Sequence, residues 1–271
     1  MSTQTPTMLD RILAETREEL ERRKHEVPLE RLPRGDRPRQ GGAPRLRDAL
    51  RGPGIGVIAE FKRRSPSAGA LREGAEVPDV VAAYARGGAV ALSVLTEGPN
   101  FGGSLEDLRA ARAACELPIL RKDFIVDAYQ LDEARSAGAD AVLLIVAALS
   151  PAELESLHDH ARAIGLEVLV EVHDGEELQR ALSHGAEIVG INNRDLRDFS
   201  VDMERTARLM SRIPASVTVV SESGISTPDQ LERLERAGVQ AVLMGETLMR
   251  SADPAAALRA LSAPKNAADA L

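Results

Sequence analysis

Two lysines stand where acid–base chemistry could use them. Lys62 closes the apolar run Val57-Ile-Ala-Glu-Phe-Lys62, and Lys122 closes Pro118-Ile-Leu-Arg-Lys122. The chain otherwise chooses arginine, with four lysines among its 34 basic residues, and the other two, Lys24 and Lys265, lie near its ends. A guanidinium stays protonated and mainly binds, whereas an ammonium can be tuned by its surroundings to donate or accept a proton. Carboxylates accompany both lysines. Glu60 precedes Lys62 by two positions, so on a strand the two share a face, with Ile58 on the same side. Lys122 shares its face with Phe124 in the same way. Glu171 is the acid within Leu169-Val-Glu-Val172. Turned toward a helix layer it would bury a charge among apolar groups, so it must face a polar mouth. Asn192 ends another apolar run and is followed by Asn193, Arg194 and Asp195. Taken singly, each has a plain structural alternative, a buried Lys–Glu pair or a turn Asn. Their convergence is the specific signal, because a partly desolvated lysine beside carboxylates is suited to proton transfer.

A second set suggests a ligand. Ser223-Gly224 and Gly245-Glu246 follow two late apolar runs and read as small residues opening helices, where backbone amides bind phosphate. The histidines read as structural or solvent-facing. His158 and His160 are two apart on a helix and diverge, and His173 has no second ligand at metal spacing. No Cys/His or Asp/Glu cluster calls for a metal, and no nucleophile-plus-base signature is visible.

The elements that must position these residues are eight short apolar runs, at 57–61, 90–95, 118–120, 141–146, 168–172, 188–191, 217–220 and 241–244. Most are continuous rather than alternating, as expected for parallel strands covered on both faces. Ala-, Leu-, Glu- and Arg-rich helical segments separate them. Ser150-Pro-Ala-Glu153 combines an N-cap, a first-turn proline and a capping-box acid, and Thr227-Pro228 begins another helix similarly. Ala137-Gly138, His184-Gly185 and Ala237-Gly238 stop helices just before the next strand. The pattern predicts an α/β fold, a (β/α)8 TIM barrel, whose active site forms at the C-terminal ends of the strands. The main alternative, an open doubly wound sheet, usually carries a Gly-rich turn after its first strand, and none follows Phe61. Ahead of the barrel, residues 8–26 form an amphipathic pattern with Leu9, Ile12, Leu13, Thr16 and Leu20 on one stripe. Pro28, Pro33, Pro38 and Pro44 then interrupt regular structure, and the arginines from Arg31 to Arg51 read as a solvated linker. The expected organisation is an extension over residues 1–56, a barrel over 57–262 and a tail over 263–271.

Composition narrows the function. Apolar residues make up 44% of the 271 and aromatics only 2%, so the core must be aliphatic. A net charge of −8 without a basic, aromatic-interleaved cluster argues against a nucleic-acid partner. Cys115 is alone, which suits a reducing, cytoplasmic compartment. The first residues lack the basic-then-apolar order of a signal peptide, and no apolar stretch approaches the ~20 residues that span a membrane. A monomer is compatible with these features, although nothing in them sets the oligomeric state.

The chain resembles the indole-3-glycerol phosphate synthase family. The resemblance rests on Ile58-Ala-Glu-Phe-Lys-Arg-Arg-Ser-Pro-Ser67, Leu92-Ser-Val-Leu-Thr-Glu97, Phe101-Gly-Gly-Ser104, Leu120-Arg-Lys-Asp-Phe-Ile125, Val170-Glu-Val172, Gly190-Ile-Asn-Asn-Arg-Asp-Leu196, Ser221-Glu-Ser-Gly-Ile225 and Leu243-Met-Gly-Glu246. It covers nearly the whole predicted barrel. Arg121 departs from many relatives, but it should face away from the barrel interior. The resemblance implies a cofactor-independent lyase of tryptophan biosynthesis. Its phosphosugar substrate, 1-(2-carboxyphenylamino)-1-deoxyribulose 5-phosphate, would become indole-3-glycerol phosphate, CO2 and water. It implies Lys122 as general acid, Lys62 as partner of the substrate carboxylate, and Glu171 as the base of the dehydration. Glu60 would orient Lys62, and Asn192 would hold a hydroxyl. Ser65, Phe101, Phe124, Arg194, Glu222, Ser223, Gly224, Leu243, Gly245 and Glu246 would line the substrate pocket, with the N-terminal helix over its mouth. Which lysine donates at which step stays open. Another phosphosugar barrel, such as phosphoribosylanthranilate isomerase, would share the phosphate site but not the two lysine motifs. A catalytically silent scaffold barrel would have no need of them.

Overall fold

A computed structural model describes residues 6–33 and 45–262. Eight parallel strands close into a barrel: β1 (Gly56–Phe61), β4 (Ala91–Leu95), β5 (Ile119–Lys122), β6 (Ala141–Ile145), β7 (Glu167–Val172), β8 (Ile188–Asn192), β9 (Thr218–Glu222) and β10 (Ala241–Met244). Neighbours in sequence are neighbours in space, and β1 pairs with both β4 and β10. This closure excludes the open-sheet alternative. A small antiparallel hairpin of β2 (Arg64–Ser65) and β3 (Gly69–Ala70) follows the first strand. The helices between strands are α3 (Val77–Gly87), α4 (Leu105–Ala114), α5 (Ala128–Ala137), α6 (Pro151–Ala163), α7 (Gly175–Ser183), α8 (Arg205–Met210) and α9 (Pro228–Arg236). After the last strand come α10 (Glu246–Arg250) and α11 (Pro254–Ser262). Among the described residues no helix is long and apolar enough to cross a membrane.

Side chains alternate between two apolar layers. Ile58, Leu120, Leu143, Leu169, Ile188 and Val220 fill the barrel interior. Val57, Ala59, Val142, Val170 and Val189 pack outward against the helices. The capping signals in the sequence are realised. Ser150 and Thr227 each close a capping box, with Glu153 and Gln230 respectively. Gly138, Gly185 and Gly238 turn the chain through the left-handed region, where a side chain would be strained. Thr227→Ala should lower stability by about 1 kcal/mol, read as a reduced midpoint of chemical denaturation.

The extension grips both ends of the barrel. α1 (Met8–Glu26) spans the predicted helix and buries Leu9, Ile12, Thr16 and Leu20. It lies on the C-terminal side. Leu9 and Ile12 share a cluster with Phe124 and Ile145, Glu15 accepts from Asn100 at 2.9 Å, and Lys24 pairs with Asp127 at 2.7 Å. The linker reading fails beyond residue 44. Arg45 is followed by a helix, α2 (Leu46–Leu50), whose Leu46 and Leu50 are 0% and 1% exposed and join the interior cluster from the opposite, N-terminal end. Arg47 is half-buried there, pairing with Glu187 at 3.2 Å and donating to the Ser216 carbonyl at 2.8 Å. Two leucines four apart on one helical face outweigh the polar residues around them. The prolines at 38 and 44 and the tail at 263–271 lie outside the described residues.

Arg121 does face outward, yet it is fully buried. Its guanidinium donates to the Gln130 carbonyl at 2.6 Å, to Asp123 at 2.9 Å and to Thr96 at 3.0 Å, with Glu133 at 3.4 Å. Glu133 also pairs with Arg23 of α1 at 3.1 Å. A buried cation is tolerated because it is paired and hydrogen-bonded in this way. The network ties α1 to the strand that carries Lys122.

Candidate active site

All fifteen residues singled out from the sequence line one cavity of about 400 Å³ at the C-terminal ends of the strands. Its floor is a ring of charged and polar side chains. Lys62 meets Glu60 at 2.7 Å. Lys122 meets Glu171 at 3.0 Å and Glu222 at 3.6 Å. Asn192 donates from Nδ2 to Glu171 Oε1 at 3.1 Å, and its own Oδ1 accepts the Arg194 amide at 3.0 Å. Glycines make room for this ring. A methyl group on Gly190 would run into the Glu222 carboxylate and Leu169, and one on Gly245 would run into Glu60.

The electrostatics follow from crowding opposite charges in a buried place. Burial alone would push the Lys122 ammonium down, but Glu171, Glu222 and Glu60 outweigh it and hold it above its ordinary value. Burial would likewise raise Glu171, but Lys122 and His173 outweigh it and hold the carboxyl below its ordinary range. Glu222 is pushed up to about 8, by burial first and by its neighbours Glu171 and Glu60, against the pull of Lys122. Two adjacent carboxyls thus separate, one firmly ionised and one retaining a proton near neutrality, as like charges in one site require.

The roof is apolar. Phe101 and Phe124 stand with ring centroids 6.3 Å apart and planes tilted by 38°. Leu143, Ile145, Leu196 and Leu243 continue the wall. Phe101 is held by its loop, because Glu97 accepts the Asn100 and Phe101 amides at 2.8 and 2.9 Å. Phe199 also lines the cavity, at a positive φ of 62°. The sequence reading missed it. It belongs to no strand, and its approach depends on the Asp195–Ser200 loop folding back, where Arg194 donates to the Phe199 carbonyl at 3.0 Å.

The small-residue end lies across the cavity, with Ser65, Ser223, Gly224, Gly245 and Glu246. One expectation needs correction. Ser223 and Gly224 do not open a helix, since α9 begins at Pro228 with Thr227 as its cap. Instead both are left-handed, at φ of 66° and 78°. A positive φ is costly for serine. Buried Asn193 sustains it, donating to the Ser223 carbonyl and to Ser221 Oγ, each at 3.2 Å. Gly245 does cap the short helix α10.

Of the two readings offered for His173, the structural one holds and the solvent-facing one does not. Its ring lies between Glu171, with Nε2 3.3 Å from Oε1, and Glu177, with Nδ1 3.0 Å from Oε2. Metal spacing was the wrong template, because its partners are the strand acid two positions before it and the helix acid four positions after.

The chain is similar to known proteins along most of its length. The family model described as indole-3-glycerol phosphate synthase matches residues 9–261. A protein of Kineococcus radiotolerans named indole-3-glycerol phosphate synthase is 51% identical over 268 residues, 95% of each chain. One of Streptomyces coelicolor, indole-3-glycerol phosphate synthase 2, is 54% identical over 222 residues, 81% of this chain and 86% of that one. Among solved structures, thiamine phosphate pyrophosphorylase from Pyrococcus furiosus matches with a TM-score of 0.59 at 20% identity, over 80% of this chain and 95% of that one. At that distance the likeness speaks for the barrel alone. With two relatives near half identity and a family model spanning almost every described residue, the chain belongs to the indole-3-glycerol phosphate synthase family.

Proposed function

We propose that the protein closes the ring of 1-(2-carboxyphenylamino)-1-deoxyribulose 5-phosphate and then decarboxylates and dehydrates it to indole-3-glycerol phosphate. The observation that carries this reading is Lys122, held between Glu171 and Glu222 beneath the Phe101–Phe124 wall. An aromatic amine needs apolar walls, and a ketose carbonyl under attack needs a proton donor. Lys122 protonates the carbonyl oxygen as the ring carbon attacks. Lys62, oriented by Glu60, takes the carboxylate that leaves as CO2. Glu171 removes one proton while a lysine ammonium gives one to the departing hydroxyl, which leaves as water and completes the indole. Asn192 holds a substrate hydroxyl. Ser65, Arg194, Ser223, Gly224, Gly245 and Glu246 take the phosphate end. A single substrate is folded into a reactive geometry, so positioning and charge stabilisation supply the catalysis.

The test uses purified protein and the carboxyphenylamino substrate, without added metal or nucleotide. Indole-glycerol fluorescence should appear with turnover. No product at micromolar enzyme would overturn the reading.

A further inference from the structure

We propose that His173 is a positioning residue for this reaction, an imidazolium clamp that fixes the Glu171 carboxylate from behind and supplies a positive charge beside it. The proposal deepens the reading above and rests on Glu171 acting as the base.

The geometry is built from outside inward. Asp174 caps α7 by accepting the Glu176 and Glu177 amides, each at 2.9 Å. Glu177 in that first turn accepts the His173 amide at 2.7 Å and the ring Nδ1 at 3.0 Å. The ring is therefore held at one nitrogen by a carboxylate that is itself anchored. Its other nitrogen points at Glu171 Oε1, at 3.3 Å, as a charge contact outside good hydrogen-bond alignment. Glu171 is thereby divided. Oε1 takes Asn192 and faces His173, and Oε2 faces Lys122 and the cavity. When Lys122 turns to the substrate, Oε2 is the oxygen released to accept a proton.

The charges around the ring are Glu171 on β7, Glu177 on α7 and, farther off, Glu222 on β9, with Lys122 beyond Glu171 and Arg197, from the loop after β8, acting on Glu177. Burial alone would lower the imidazole, but Glu171 and Glu177 outweigh it and hold it at about 10, so the ring is cationic at neutral pH. A buried carboxylate beside one more cation stays ionised to lower pH. Activity that needs ionised Glu171 is present above its pKa and lost as pH falls through it. Removing the His173 charge raises that pKa, so the acid limb of kcat must move to higher pH.

His173→Asn and His173→Gln should each shift the acid limb of the kcat profile upward by about one pH unit, with KM little changed. Glu177→Gln should shift it the same way by less. A uniform fall in kcat with an unmoved limb would overturn the proposal, since a purely structural role predicts that. Imidazole-nitrogen NMR of the wild-type protein gives a readout independent of turnover and of variant folding. His173 should be doubly protonated at neutral pH, and Glu171→Gln should lower its titration. A neutral His173 would overturn the clamp. A wild-type protein that makes no product would overturn the function instead, leaving the NMR result to judge the clamp alone.

Discussion

Lys122→Met should leave the barrel folded and reduce kcat by on the order of 100-fold or more, the range of general acid catalysis. The side chain is 16% exposed and faces the cavity, and the residues of its strand that enter the core are Ile119 and Leu120. Methionine keeps the apolar stem, so packing changes little. What is lost is the proton donor and the cation between two carboxylates. Glu171 and Glu222 then lose the cation between them, and the proton that Glu222 already retains near neutrality relieves the repulsion. Thermal melting and far-ultraviolet circular dichroism should stay close to wild type while product fluorescence collapses. Lys122→Arg should be nearly as damaging. It retains the charge, but its guanidinium does not give up a proton. A near-normal rate for either variant would remove Lys122 from the donor role.

Much of this site was legible because the barrel imposes a rule on each strand. Glu60 and Lys62 were placed on one face by period-two spacing, and the burial cost of a lone carboxylate aimed Glu171 at the mouth. The strands themselves were visible as continuous aliphatic runs, and their observed ends lie within two residues of the expected ones. The features that escaped depend on tertiary contact. α2 is outvoted locally by its arginines, and it exists because Leu46 and Leu50 find the open end of the barrel. Phe199 reaches the cavity through a loop whose fold rests on Arg194. Ser223 adopts a conformation that sequence habit reserves for glycine, and Asn193 from the neighbouring strand end holds it there. His173 needed the knowledge that Glu177 turns back over the strand end.

Glu171→Gln should separate two halves of the reaction that Lys122→Met blocks together. The amide is nearly isosteric, so the cavity keeps its shape, but its one carbonyl oxygen can accept from Lys122 or from Asn192 and not from both. It cannot accept a proton as a base. Steady-state kcat should therefore fall by on the order of 100-fold or more. In the proposed mechanism ring closure and loss of CO2 precede the dehydration assigned to Glu171, and Lys122 remains available for them. In a single turnover, CO2 release should run ahead of indole fluorescence, whereas in wild type the two should rise together. Glu222 is the nearest group that could substitute. Its burial and the Glu171 charge both push its carboxyl up, so neutralising position 171 lets Glu222 ionise more readily beside Lys122. Residual indole formation in the Glu171→Gln enzyme should accordingly disappear in the Glu171→Gln, Glu222→Gln double variant. If CO2 and indole instead slow in step, Glu171 acts before decarboxylation, and the proton it takes is not the one lost in the dehydration.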